Sequence, residues 1–253
     1  MEESSKIRPR KIQLIIPVLD GAQALPLTFQ RLEDFFARKE YMARVVFVDD
    51  GSTDGTLGLL EEYRHKSTFP LTVLHNTSNL GKGAAVKKGV MEVRGGADLI
   101  AFTDADLPYG LEVLDEFVRA FGSQNAASLA IGNRNLLGRD HKQYSFYRLF
   151  FKNIFQFFLP APTRIFSDTQ CGIKMFDRAI ADNFERITTG NWCFDVELLL
   201  LAVKNHLRVA EVPVRIEKVH TRGGVSLFKH SYTILRDIFL IKKRDKQGQY
   251  LIK

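Results

Sequence analysis

The amino-acid sequence predicts an α/β fold, a mainly parallel sheet flanked by helices. Short β-branched runs recur along the first half of the chain, separated by stretches with apolar residues three and four apart. Polar clusters stand where the predicted strands end, which is where open α/β sheets bind ligands.

Lys11–Val18 (KIQLIIPV) is an apolar run of strand length, and Leu25, Phe29, Leu32 and Phe36 follow at helical spacing. Arg44–Asp50 (RVVFVDD) is a second strand, apolar enough to be buried on both faces, and Gly51-Ser52-Thr53 turns the chain. Asp54 is placed to cap the next helix, whose apolar positions are Leu57, Leu60 and Tyr63. Leu71–His75 reads as a third strand. The glycine-rich NLGKGAAV opens a helix that ends near Gly95-Gly96. Asp98–Asp106 (DLIAFTDAD) is a fourth strand running into a carboxylate pair, and Ala127–Gly132 is a fifth. Strands alternating with helices imply parallel pairing through right-handed crossovers.

The second half is less regular. Tyr144–Leu159 is a helix candidate holding six of the chain's 20 phenylalanines. Gly172–Phe176 reads as a short strand, Phe194–Asn205 as a helix and Arg208–Ile216 as a β segment. A basic amphipathic stretch covers Leu227–Arg244. With no repeat and no low-complexity linker, one domain over residues 1–253 is the simplest organisation.

At 253 residues and 45% hydrophobic, the chain can bury a substantial core, which excludes global disorder. No run reaches the roughly 18 uncharged apolar residues needed to span a bilayer, and MEESSKIRPRK does not resemble a signal peptide. Cys171 and Cys193 are too few for a disulfide framework or a four-ligand zinc site, and read as thiols in a reducing cytoplasm. A net charge of +7 favours an anionic partner, whether nucleic acid, acidic membrane or phosphorylated substrate. No helix-turn-helix, RNA-binding aromatic strand or zinc pattern is present, so nucleic acid is not the expected partner.

The chemistry concentrates at the strand ends. Asp104 and Asp106 stand at i and i+2, positions that point the same way on a strand, so both can face one space. Two carboxylates converging without a basic neighbour call for a cation, and oxygen ligands suit Mg²⁺ or Mn²⁺ that also binds phosphate. The plain alternative is a solvated turn. VDDGSTDGT is either turn chemistry alone or a site where Asp50 accepts hydrogen bonds from a base or ribose. Lys82, in Gly81-Lys82-Gly83, is either a phosphate contact or a solvated lysine at a helix start; its spacing is not that of a P-loop.

Taken in order, IIPV, VVFVDDGSTDGT, NLGKGAAV, FTDADLPYG, IGNR, DTQCGIKMF and NWCFDVELLLLA resemble the family 2 glycosyltransferases of the GT-A fold. The resemblance runs from about Ile12 to Ser226 and is nearest to the polyprenyl (dolichyl) phosphate sugar transferases. It implies a nucleotide-sugar-binding half over about 11–135 and an acceptor-binding half over about 136–253. It implies that Pro17, Val48 and Asp50 line a nucleoside pocket with Lys82 nearby, and that Asp104, Ala105 and Asp106 bind a metal–diphosphate. Arg134 and Arg148 match arginines that hold phosphate near the transfer site. Arg222 and Ser226 match a loop closing over donor and acceptor, and Asp168 and Asp195 match acidic positions of the sugar pocket. The chain departs from the family pattern at Leu19, Asp20 and Gly21, where tyrosine, asparagine and glutamate are usual, and at Pro108, where glutamine is common.

The implied reaction is inverting transfer of glucose or mannose from a nucleotide-diphosphate sugar, UDP-glucose before GDP-mannose, to a polyprenyl phosphate. An ionised lipid phosphate needs no general base, whereas a soluble or glycan hydroxyl acceptor requires one, with Asp168 or Asp195 as candidates. A relative that binds sugar nucleotide without catalysis is the third reading, on the strength of Leu19, Gly21 and Pro108. The aromatic stretch and the C-terminal Lys242-Lys243-Arg244 cluster suggest a cytoplasmic protein held peripherally on an anionic membrane face, with core or solvated helices as the plain alternative.

Overall fold

The structure, a computed structural model, describes residues 11–39, 42–122, 126–137, 158–217 and 227–252. Within them the alternation of apolar residues produces strands β1 (Ile12–Val18), β2 (Met42–Asp49), β3 (Leu71–His75), β4 (Leu99–Phe102), β5 (Leu129–Asn133), β6 (Lys174–Asp177) and β7 (Val209–Pro213). The helices are α1 (Leu25–Phe36), α2 (Thr56–Lys66), α3 (Lys82–Val93), α4 (Val113–Gly122), α5 (Arg178–Ala181), α6 (Phe194–Lys204) and α7 (Leu227–Lys246). The strands form one seven-stranded sheet in the order β3-β2-β1-β4-β6-β5-β7.

Period-two alternation divides the core between the two faces of this sheet. Ile12, Leu14, Ile16 and Val18 of β1 join Val45 and Phe47 of β2 on the face covered by Leu25, Leu32 and Phe35 of α1 and Phe117 and Phe121 of α4. Ile15, Val46, Val48, Ile100 and Phe102 point the other way, toward Val86 and Val90 of α3 and Leu198–Leu201 of α6. Burial on both faces is why these strands read as near-continuous apolar runs. The helix α4 had not been singled out in the sequence, although Val113, Leu114, Phe117 and Phe121 make its buried stripe.

One strand breaks the parallel pattern. β6 runs antiparallel between β4 and β5, with Phe102 opposite Lys174 and Ala130 opposite Met175. The other pairings, β1 with β2 and β4, β2 with β3, and β5 with β7, are parallel. The consequence is positional: the entrance to β6 lies at the same edge as the exits of β1, β2, β4, β5 and β7. The loop Cys171-Gly172 is thereby delivered beside the end of β4.

Asp54 serves the start of α2 from one residue further back than expected. Gly55 is the N-cap, at φ +88°, while Asp54 Oδ1 accepts from the Thr56 N–H and hydroxyl. Most of the aromatic helix candidate lies outside the described residues; Leu159 at its end is fully buried. The C-terminal basic cluster divides. Lys243 faces outward, whereas Arg244 turns inward, its Nη1 3.4 Å from Oε1 of Glu197. Among the described residues, no helix is long and apolar enough to cross a membrane.

Glu197, fully buried on α6, ties the C-terminal tail to the core. It accepts from Thr188 N–H at 2.9 Å, Thr189 N–H at 2.6 Å and the Tyr250 hydroxyl at 2.5 Å. Removing it would leave the buried Thr189 N–H and Tyr250 hydroxyl without an acceptor. Glu197→Ala is expected to lower stability by about 3–5 kcal/mol and Tyr250→Phe by about 1.5–3 kcal/mol. Urea denaturation measures both, and equal midpoints for the two variants would contradict this account.

Candidate active site

The C-terminal edge of the sheet gathers the residues picked out from the sequence. β4 ends at Phe102, and its last ladder bond runs from Thr103 N–H to Ile15 O. Strand alternation therefore does not orient Asp104 and Asp106, contrary to the expectation. A tight turn does: Leu107 N–H donates to Asp104 O at 3.0 Å, Leu107 sits at φ +48°, and the Thr28 hydroxyl holds Ala105 O at 2.5 Å.

The second premise about this pair also changes. Asp104 has a basic neighbour, Lys82, whose ammonium lies 2.5 Å from Asp104 Oδ1. Lys82 opens α3 behind Gly81, which holds φ +96° with Gly190 O and Asn191 packed where a Cβ would be. Only glycine accepts that backbone without strain. Burial works against the Lys82 ammonium, but the charges of Asp104 and Asp195 and the Asp104 hydrogen bond outweigh it and hold Lys82 above the usual lysine range. The other Asp104 oxygen is set against Gly172, where an added Cβ would stand 2.1 Å from Oδ2. Gly172 N–H in turn donates to the Tyr109 hydroxyl.

Asp50 is hydrogen-bonded within the protein through both oxygens. Its Oδ1 accepts from Asn76 Nδ2 and Leu80 N–H, and its Oδ2 from Gly81 N–H at 2.8 Å. Both oxygens thus hold the loop that presents Lys82. Pro17 pairs with Val48 across β1 and β2, and the Val48 side chain is fully buried in the core. The departing residues Leu19–Gly21 belong to a latch between two loops. Asp20, at φ +48°, accepts from Thr53 N–H at 2.8 Å, and Gly21 N–H donates to the Thr56 hydroxyl. Pro108 takes part in a similar tie, its carbonyl accepting from Glu217 N–H at 2.7 Å.

On the far side of β4, Arg134 leaves β5 and grips Asp168. Its Nε and Nη2 each lie 2.7 Å from a separate carboxylate oxygen, and its backbone N–H adds a third bond. Burial pushes Asp168 up, but the hydrogen bonds and charge of Arg134, with help from Lys174, hold the carboxyl below the usual range. Asp195, the first-turn acid of α6, is paired instead with Lys174, whose ammonium lies 2.6 Å from Asp195 Oδ1 and donates also to Cys171 O. Burial raises Asp195 despite the opposing charges of Lys174 and Lys82. Both thiols are buried, and desolvation pushes Cys193 up to about 12.

Lys174 and Trp192 were not singled out as site residues from the sequence. The signal for Lys174 was a cation inside an apolar strand, GIKMF, where burial demands a partner. Trp192, the single tryptophan, is part-exposed with its ring centroid 5.7 Å from the Lys82 ammonium. Arg148, Arg222 and Ser226 lie outside the described residues. The sequence expects Asp104 and Asp106 to hold a divalent cation; among the described residues no group of three or more His, Cys, Asp or Glu that could do so is found, and Asp104 Oδ1 pairs with Lys82.

Residues 13–183 match the family model described as glycosyl transferase family 2. A dolichyl-phosphate beta-glucosyltransferase of Trichomonas vaginalis is 33% identical over 212 residues, covering 80% of this chain and 60% of the relative. A dolichyl-phosphate beta-glucosyltransferase of Drosophila melanogaster is 30% identical over 253 residues, 96% of this chain and 77% of the relative. The chain thus spans under two thirds of the Trichomonas protein's length. Among solved structures, mannosyl-3-phosphoglycerate synthase from Rubrobacter xylanophilus aligns with a TM-score of 0.68 at 15% identity, over 96% of this chain and 76% of that one. A mannosyltransferase from Pyrobaculum calidifontis, in complex with GDP-Man and Mn²⁺, aligns with a TM-score of 0.62 at 17% identity, over 91% of this chain and 61% of that one. These neighbours share the GT-A arrangement of a mostly parallel sheet flanked by helices. By sequence and by fold, the chain belongs to glycosyl transferase family 2.

Proposed function

We propose that this protein transfers a hexose, glucose before mannose, from a nucleotide-diphosphate sugar to a dolichyl-type polyprenyl phosphate, inverting the anomeric centre. The names of its relatives support the acceptor and the sugar, and the resemblance supports UDP-glucose as donor. The observation that carries the acceptor class is the state of the two candidate bases. Asp168 is bound bidentately by Arg134, and Asp195 is buried against Lys174. A hydroxyl acceptor needs a carboxylate able to take its proton, and neither group is placed to do so. A phosphate monoester is already ionised and needs none.

In this reading an acceptor phosphate oxygen attacks the anomeric carbon as the bond to the nucleoside diphosphate breaks, and no proton need move. Arg134, anchored through Nε and Nη2, keeps Nη1 to orient the acceptor, a task suited to a rigid guanidinium. Lys82, held by Asp104, supplies a fixed positive charge beside the departing diphosphate. Asp104 and Asp106 would hold Mg²⁺ or Mn²⁺, which when bound adds further positive charge to the leaving group.

The site faces a peripheral membrane surface in this proposal. On α7, Leu235, Phe239 and Lys243 are exposed at four-residue intervals, with Phe239 69% exposed, while Ile238 and Ile241 on the opposite side are buried. Apolar and basic groups sharing one exposed face suit the boundary of an anionic bilayer.

Three outcomes are expected. Given a panel of radiolabelled sugar nucleotides with polyprenyl phosphate and Mg²⁺ or Mn²⁺, label passes into the organic phase. Asp104→Asn or Asp106→Asn lowers that transfer on the order of 10²- to 10³-fold, and label appearing only on a soluble hydroxyl acceptor would refute the acceptor assignment. Asp168→Asn, which loosens Arg134, lowers transfer about 10- to 100-fold with the larger effect on the acceptor KM; an unchanged acceptor KM contradicts the anchoring role. The protein floats with anionic vesicles at low salt and less so at high salt, and Phe239→Glu weakens it; no flotation at either salt ends the membrane claim.

A further inference from the structure

Beneath the site lies a cation that the proposed reaction does not use. Lys174 is fully buried at the first position of β6, with its ammonium 5.6 Å from the Phe102 ring centroid. Buried ion pairs are costly to desolvate, and an apolar pair of similar volume is often neutral or better for stability. Stability alone therefore does not account for Lys174. Its partners offer another account. Cys171 O, which it holds at 2.6 Å, belongs to the loop whose next residue, Gly172, is set against the Asp104 carboxylate. Asp195, held at 2.6 Å, lies in the first turn of the helix that follows Trp192, and the Trp192 ring stands beside the Lys82 ammonium.

We propose that Lys174 is a positioning residue of the transfer site: one ammonium fastens the wall behind Asp104 to the helix start behind Lys82, and so fixes the spacing of that pair. This rests on the reading above for the reaction, though not for the geometry. The four groups form an alternating series, Asp104, Lys82, Asp195 and Lys174, with direct pairs at each end. Between the pairs, Asp195 acts on Lys82 through its charge. If Lys174 were neutralised alone, Asp195 would be left as a buried carboxylate whose nearest remaining cation in this series is Lys82. Lys82 would then be drawn away from Asp104. The inner pair thus acts on the outer one.

The test removes both inner charges, Lys174→Met with Asp195→Leu, so that no orphan charge obscures the result. Thermal unfolding is expected to match wild type within a few degrees, as for other buried pairs replaced by apolar residues. The kcat is expected to fall on the order of 10- to 100-fold, with a smaller change in donor KM. Trp192, the single tryptophan, gives a second readout that needs no substrate: the double variant's emission should move in the same direction as that of Lys82→Met. The kcat, KM and emission all equal to wild type would overturn the proposal. Should the double variant fail to fold, Asp195→Asn, which keeps the shape but leaves the Lys174 charge uncompensated, is expected to lose stability and to show the same fall in kcat and the same emission shift; unchanged kcat and emission overturn the proposal. If wild type transfers no sugar to polyprenyl phosphate, the reaction assignment fails, while the emission comparison still decides the role of Lys174.

Discussion

The organisation of this protein depends on matching each carboxylate at one edge of a sheet with a positive or hydrogen-donating partner. Strands that end at one edge place Asp49, Asp50 and Asp104 at that edge, and the loops add Asp168 while α6 adds Asp195. In a partly desolvated site such charges repel strongly unless compensated. Compensation is specific for four of them. Asp104 has Lys82, Asp168 has Arg134, Asp195 has Lys174, and Asp50 has two backbone N–H groups and an amide. What results is a site of fixed dipoles and paired ions.

The antiparallel strand β6 makes this matching possible. Had β6 run parallel to β4, its entrance would lie at the opposite edge, and Lys174 and Gly172 could not stand beside Phe102 and Asp104. Lys174 also faces away from solvent between two covered layers, which is the environment that most demands a partner for an ammonium. A single reversal of strand direction thus sets both the shape of the wall behind Asp104 and its electrostatics. The loop around Thr188 and Thr189, held by Glu197, packs on Gly83 and completes the opposite wall.

Much of this was legible in the sequence, and the illegible part has a common physical cause. β1, β2 and α3 were readable because burial on both faces, or on one helical stripe, is written in consecutive residues. Asp104 and Lys82 were each visible as chemistry, yet their pairing was not, since 22 positions separate them and only the β1–β4 adjacency brings them together. The same holds for Arg134 with Asp168 and for Lys174 with Asp195. Asp50 left two readings open because a strand-end aspartate that binds a ligand and one that anchors a loop have the same local sequence. The reversal of β6 left no mark, because a strand of four residues has the same alternation in either direction.

The pairing of the carboxylates also constrains what the site can catalyse. A general base must exchange a proton during the reaction, so its charge cannot be committed to a bidentate guanidinium or to a buried ammonium. Asp168 and Asp195 are committed in those two ways, and each would have to break its pair to act. Reactions in which the nucleophile arrives already charged face no such demand. What they need is a surrounding that keeps two anions, acceptor and leaving group, in line at close range. Arg134 held by the buried Asp168 and Lys82 held by the half-buried Asp104 suit that proposed task, because an anchored cation does not have to reorganise as charge shifts from one anion to the other. The same pairs that would disable hydroxyl activation are therefore compatible with the proposed sugar transfer to a phosphate acceptor.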